Sequence, residues 1–114
     1  MKISVTDLEN GVVCVDLDGT LDLEGAPLIE SDMNAIARRA SHIVVNMSAV
    51  DYIASSGVSV LVQSAQTVGE RGGGFAVFSV KQPVAHVLRK MAIDKLIPIV
   101  AGRGDAVAYV TSGD

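Results

Sequence analysis

The sequence predicts an α/β fold with a mixed, mostly parallel β-sheet, an N-terminal hairpin and about four helices. Three observations carry that prediction. Two runs rich in β-branched residues flank Asn10-Gly11, a strong hairpin turn signal. Beyond residue 26, stretches with helical apolar spacing alternate with short apolar runs, and strands joined through helices must run parallel. The chain has 114 residues, of which 49% are apolar and 19% charged, enough for one core and too apolar for disorder. A single domain over residues 1–114 is expected.

The hairpin spans residues 2–17, with Val12, Val13, Cys14, Val15 and Leu17 leading to a turn at Asp18-Gly19. The first helix opens near Pro27, whose fixed φ suits a first turn, and Ile29, Met33, Ile36, Ala37 and Ala40 form its apolar stripe. Arg38 and Arg39 favour the negative pole at its end. The run His42-Ile43-Val44-Val45-Asn46-Met47 suits a strand buried on both faces, followed by a loop. After Ser55-Ser56-Gly57, a second helix carries Val58, Leu61, Val62, Ala65 and Val68 inward, until Gly72-Gly73-Gly74 stops it. Phe75-Ala76-Val77-Phe78 is the next strand. Pro83 starts a third helix with Val84, Val87, Leu88 and Met91 on one face. Ile97-Pro98-Ile99-Val100 reads as an edge strand, because proline cannot donate to a ladder. A last helix covers residues 105–111 behind an Asp105 cap. The order is ββαβαβαβα.

Composition narrows the partners. A net charge of −4 repels phosphate backbones, and 4% aromatic residues leave few surfaces for base stacking, which argues against direct nucleic-acid binding. No window approaches the ~18 apolar residues of a membrane span, and the start lacks a signal-peptide core, so the expectation is a cytoplasmic protein with no membrane partner. The single Cys14 has no internal disulfide partner and no neighbouring base in sequence, so it reads as an inert thiol. His42 and His86 lack metal-ligand spacing and read as ordinary residues, with no metal and no cofactor expected. Met33, Met47 and Met91 fit core positions. Gly69-Glu70-Arg71-Gly72-Gly73-Gly74 follows a helix and lacks the Lys-Ser or Lys-Thr of a phosphate loop, so it reads as a helix stop.

Two stretches could carry chemistry. Asp16-Leu17-Asp18-Gly19-Thr20-Leu21 resembles the nucleophile motif of haloacid dehalogenase-type phosphatases, in which Asp16 would attack phosphorus and Asp18 would handle the leaving-group proton beside Mg²⁺. Ser48, Lys81 and Gly104-Asp105 would stand for the later motifs, but the second acid of the last one is missing. Simple strand alternation accounts for the same residues and is preferred.

The second stretch, Asn46-Met47-Ser48-Ala49-Val50-Asp51-Tyr52-Ile53-Ala54-Ser55-Ser56-Gly57-Val58, resembles the STAS-domain family, specifically bacterial anti-sigma-factor antagonists. The resemblance reaches back to Gly19-Thr20-Leu21-Asp22 and forward through Pro98, nearly the whole chain in order. It implies a STAS-type fold and a non-enzymatic regulator with no catalytic residue. It also implies a serine kinase-type anti-sigma factor as partner, bound while the antagonist is unphosphorylated, and a separate phosphatase that resets the switch. The kinase would bring the ATP and Mg²⁺. By family register the phosphoacceptor is Ser55, with the adjacent Ser56 as second choice. Ala54 stands where the family has aspartate, and Asn46 replaces another aspartate; Asp22 matches an acidic loop position. The partner surface is expected to include Asp22, Asp51, Tyr52, Ser55, Ser56, Ser59 and Gln63. Read without the family, Ser55-Ser56 before a helix would be a hydroxyl cap. A STAS docking module for a partner unrelated to sigma factors is the alternative.

Overall fold

The computed structural model describes residues 1–112, so the last two residues of the expected domain lie outside the description. Five strands form one sheet in the order β1 (Lys2–Asp7), β2 (Val12–Leu21), β3 (His42–Ile53), β4 (Phe75–Phe78), β5 (Ile99–Val100). β1 is antiparallel to β2, and the other neighbours are parallel, which gives the mixed sheet with its N-terminal hairpin. The hairpin turns through Glu9–Gly11, where Asn10 (φ 62°) and Gly11 (φ 74°) are left-handed, the conformations that Asn-Gly adopts at least cost.

Four helices complete the fold: α1 (Ala26–Arg39), α2 (Ser55–Glu70), α3 (Gln82–Lys90) and α4 (Arg103–Thr111). Strand order follows chain order, so right-handed crossovers put α1, α2 and α3 on the same face of the sheet. There Val13, Val15, Leu17, Ile43, Val45 and Met47 meet Ile29, Met33, Leu61, Val68 and Leu88 in the larger apolar cluster. The opposite face is covered by α4, whose Ala106 and Val110 pack on Val12, Cys14, Val44, Ala76 and Phe78. The first halves of β2 and β3 are buried from both sides, so Val12-Val13-Cys14-Val15 and Ile43-Val44-Val45 are continuous apolar runs, and exposure returns only beyond Asp16 and Asn46. Arg71 at the end of α2 donates through one guanidinium nitrogen to the carbonyls of Ala37 (2.8 Å) and Ala40 (2.6 Å), satisfying the open end of α1.

Several expectations need correction. β2 does not turn at Asp18-Gly19 but continues to Leu21, and β3 has no loop after Met47 but continues to Ile53, because the two pair through register shifts beyond Asp16. β5 is only two residues long; Pro98 precedes it and still contributes its carbonyl to the Val77 amide at 3.0 Å. The N-cap of α4 is Gly102, and Asp105 sits one turn in, where its carboxylate accepts from the Gly102 amide at 3.3 Å. Met91 is not core: α3 ends at Lys90, the chain turns left-handed at Ala92, and the methionine is 44% exposed. His42 is buried, and its Nδ1 accepts from the Gly74 amide at 2.9 Å. No helix among the described residues is long and apolar enough to cross a membrane.

Candidate functional site

The site forms where β2 and β3 end together at the N-terminus of α2. Leu21 and Ile53 are register partners, both fully buried, so the two strands stop at the same level. Ala54 is still extended (φ −109°, ψ 173°). Its amide donates to the Leu21 carbonyl at 2.9 Å, and its own carbonyl accepts the first helical bond from Val58 at 3.0 Å. The strand therefore passes into the helix through one residue. Gly57 permits this, since a Cβ there would lie 2.5 Å from both the carbonyl oxygen and the Cγ of Leu21.

This geometry removes the capping role expected of the serines. Ala54 occupies the N-cap position and has no side-chain acceptor, while Ser55 and Ser56 are the first two helical residues. The two hydroxyls, equivalent in sequence, are not equivalent in space. Ser55 is exposed, whereas the Oγ of Ser56 is buried without a hydrogen-bond partner.

The remaining predicted residues fall into separate groups. Ser59 and Gln63 follow Ser55 at helical spacing and are exposed on the same face of α2; the Ser59 hydroxyl donates to the Ser55 carbonyl at 3.1 Å. Asp51 and Tyr52 are exposed at the end of β3, and Asp51 accepts from Lys81 at 2.6 Å, tying β3 to the start of α3. Asp22 faces its own loop: one carboxylate oxygen accepts from the amides of Gly25 (2.8 Å) and Glu24 (3.1 Å), and its carbonyl accepts from Ala26 at 2.8 Å. Asp22 thus organises the entry to α1, in the manner of aspartates that bond their own turns.

Apolar surface at this end escaped the sequence reading. Leu23 and Leu28 in and after the Asp22 loop are 78% and 64% exposed, and Met91 and Leu96 are 44% and 66% exposed beyond α3. The signal was available in part. Leu28 falls outside the stripe of Ile29, Met33 and Ile36, so its helix does not bury it.

The phosphatase arrangement does not assemble. Asp16 lies within β2 and accepts from the Asn46 side chain at 2.8 Å, while Asn46 accepts from the Ser48 amide at 3.0 Å. Lys81 is bonded to Asp51, and Asp105 to the start of α4. Burial, and secondarily the nearby Asp16 carboxylate, push the Cys14 thiol up from its ordinary value; Arg103 opposes both.

Residues 5–106 match the STAS domain family. The chain is 33% identical over 91 residues to an anti-sigma F factor antagonist of Paenibacillus polymyxa, covering 78% of each protein. The crystal structure of an anti-sigma factor antagonist from Mycobacterium paratuberculosis superposes with a TM-score of 0.85 at 26% identity, covering 96% of this chain and 92% of that one. SpoIIAA, the Bacillus anti-sigma factor antagonist, in its unphosphorylated form shares the fold with a TM-score of 0.71 at 14% identity, covering 91% and 92% of the two chains. The chain belongs to the STAS-domain family, with anti-sigma-factor antagonists among its relatives, and is a regulator rather than an enzyme.

Proposed function

We propose that the chain is a cytoplasmic anti-sigma-factor antagonist that works by partner switching. Unphosphorylated, it binds a serine kinase-type anti-sigma factor through the surface around Ser55 and so frees a sigma factor. The kinase transfers phosphate to Ser55, the complex weakens, and a separate phosphatase restores the antagonist.

The observation that carries this reading is the difference between the two serines. A kinase needs an accessible hydroxyl, and Ser55 is exposed while the Ser56 oxygen is buried. Phosphorylation adds a charge of about −1.5 to −2 at the positive pole of a helix, where the folded chain tolerates it. The complex does not tolerate it equally, because a dianion buried at an interface must lose its water whereas a hydroxyl gives up little. A differential of about 2.8 kcal/mol weakens binding about 100-fold, enough for a switch.

Isothermal titration of the wild type, Ser55→Ala and Ser55→Asp against a kinase-type anti-sigma factor from the same organism tests the proposal. The expected result is that Ser55→Ala binds like the wild type and Ser55→Asp about 100-fold more weakly. If Ser55→Asp bound as tightly as the wild type, the switch would be wrong. If the wild type bound no such kinase, the chain would be a docking module for a different partner.

A further inference from the structure

The two edges of the sheet are finished differently. The β5 edge is two residues long and Pro98 precedes it, so it offers little backbone for pairing. The β1 edge runs six residues, Lys2–Asp7, with Ile3 half-buried and the others exposed. It pairs with β2 without a bulge and contains no proline, and its middle, Ile3-Ser4-Val5-Thr6, carries no charge. Along that stretch none of the features that guard exposed edges is present. The Leu8 amide donates to the Val12 carbonyl at 2.8 Å, and the register runs on unbroken from there, so Thr6, Ser4 and Lys2 turn their backbone groups to β2. Ile3, Val5 and Asp7 turn theirs to the open edge. Ile3 and Val5 pair with Leu17 and Val15, which places their side chains on the α1 side of the sheet, where Val5 is 43% exposed.

We propose that a second copy of the chain pairs at this edge, β1 against β1 and antiparallel, about a twofold axis normal to the sheet, so that one sheet runs through both copies. The strand suits itself as a partner. An axis through Ser4 sets Ile3 opposite Val5 of the second copy and the converse, so these residues exchange their outward N–H and C=O groups while their apolar side chains meet on the α1 side. Antiparallel pairing also lays the Lys2 end of one strand beside the Asp7 end of the other, whereas parallel pairing would bring like charges together. Arg39 of α1 holds Asp7 at 3.3 Å, so this carboxylate keeps a counter-charge in the dimer. With no comparable strand at the β5 edge, association stops at two. One pair of strands covers less than the ~1,200–2,000 Å² of a standard interface, so the dimer is weak and forms with rising concentration. The inference does not depend on the proposed function. Because α2 connects β3 to β4, away from the β1 edge, the dimer carries two exposed Ser55 sites.

Sedimentation equilibrium of the purified chain at concentrations up to ~1 mM tests the proposal. Val5→Pro removes an outward N–H that β2 does not use, and Val5→Lys puts a charge in the middle of the edge. Circular dichroism melts verify that both fold; should the proline variant fail to, the lysine variant decides. Leu96→Lys, at a 66% exposed residue beyond α3, controls for general stickiness of exposed apolar side chains. The wild type and Leu96→Lys should pass from monomer to dimer over the same concentrations, and both Val5 variants should dimerise at least tenfold more weakly. A wild type that stays monomeric throughout overturns the proposal. So does a dimer that survives both Val5 substitutions or is lost in Leu96→Lys, since its contact lies elsewhere, and so does growth beyond the dimer. None of these outcomes bears on the switch at Ser55.

Discussion

The backbone amide of Ala54 donates to the carbonyl of Leu21 at 2.9 Å, so the residue that opens α2 is fixed to the end of β2. The candidate phosphoacceptor next to it therefore stands on a frame rather than on a free loop. Gly57, seated on the same Leu21 carbonyl, is part of that frame. Gly57→Ala would ordinarily strengthen a helix, but here the added carbon meets backbone at 2.5 Å. The overpacking should win, lowering stability by ~1–3 kcal/mol in denaturant titration. A more stable variant would mean that α2 can move off Leu21 without cost.

Ala54 leaves the first amides of α2 without a side-chain acceptor. Ala54→Asp places a carboxylate at the N-cap position and should cap the helix. The expected gain is ~1 kcal/mol, read as a rise in Tm of ~4 °C. No change in Tm would show that water already serves these amides equally well.

Ser56 holds a buried hydroxyl oxygen with no partner. Replacing it should remove a desolvated polar group at almost no cost in packing. Ser56→Ala should therefore be at least as stable as the wild type, by up to ~1 kcal/mol, and should still accept phosphate at Ser55. Loss of modification in this variant would move the acceptor to Ser56.

Cys14 gives a pH dependence with a definite sign. Its thiol is harder to ionise in the folded chain, first because it is buried and then because Asp16 is near. Its contribution to stability is thus complete below the ordinary thiol value and is lost as pH rises from there through the raised folded value, since only the unfolded chain ionises freely in between. Denaturant titrations at increasing alkaline pH should show this decline in the wild type and a shallower one in Cys14→Ala. The native protein should also resist alkylation under mildly alkaline conditions until it unfolds.

Much of this architecture is written in local patterns. Asn10-Gly11 marks the hairpin, Pro27 and Pro83 mark helix starts, and the stripe through Ile29, Met33 and Ile36 marks the buried side of α1. What local pattern could not supply came from pairing between distant segments. The extensions of β2 to Leu21 and of β3 to Ile53 depend on each other, since Thr20 pairs with Tyr52 only after two register shifts. The same applies to the site. Ser55 and the stripe through Ser59 and Gln63 follow from helical spacing, but the inward turn of Ser56 and the exposure of Met91 and Leu96 depend on how α2 packs against Leu21 and how the chain leaves α3. Asp22 was recognisable as special by family register; that its carboxylate serves its own turn is visible only from the bonds to Glu24 and Gly25.

The most direct test of the switch is intact-mass and peptide mass spectrometry on the protein taken from its native host, before and after the stress response is induced. The account predicts a single phosphate on Ser55 that falls when the response turns on. No phosphate under either condition, or phosphate on another residue with Ser55 unmodified, would contradict it.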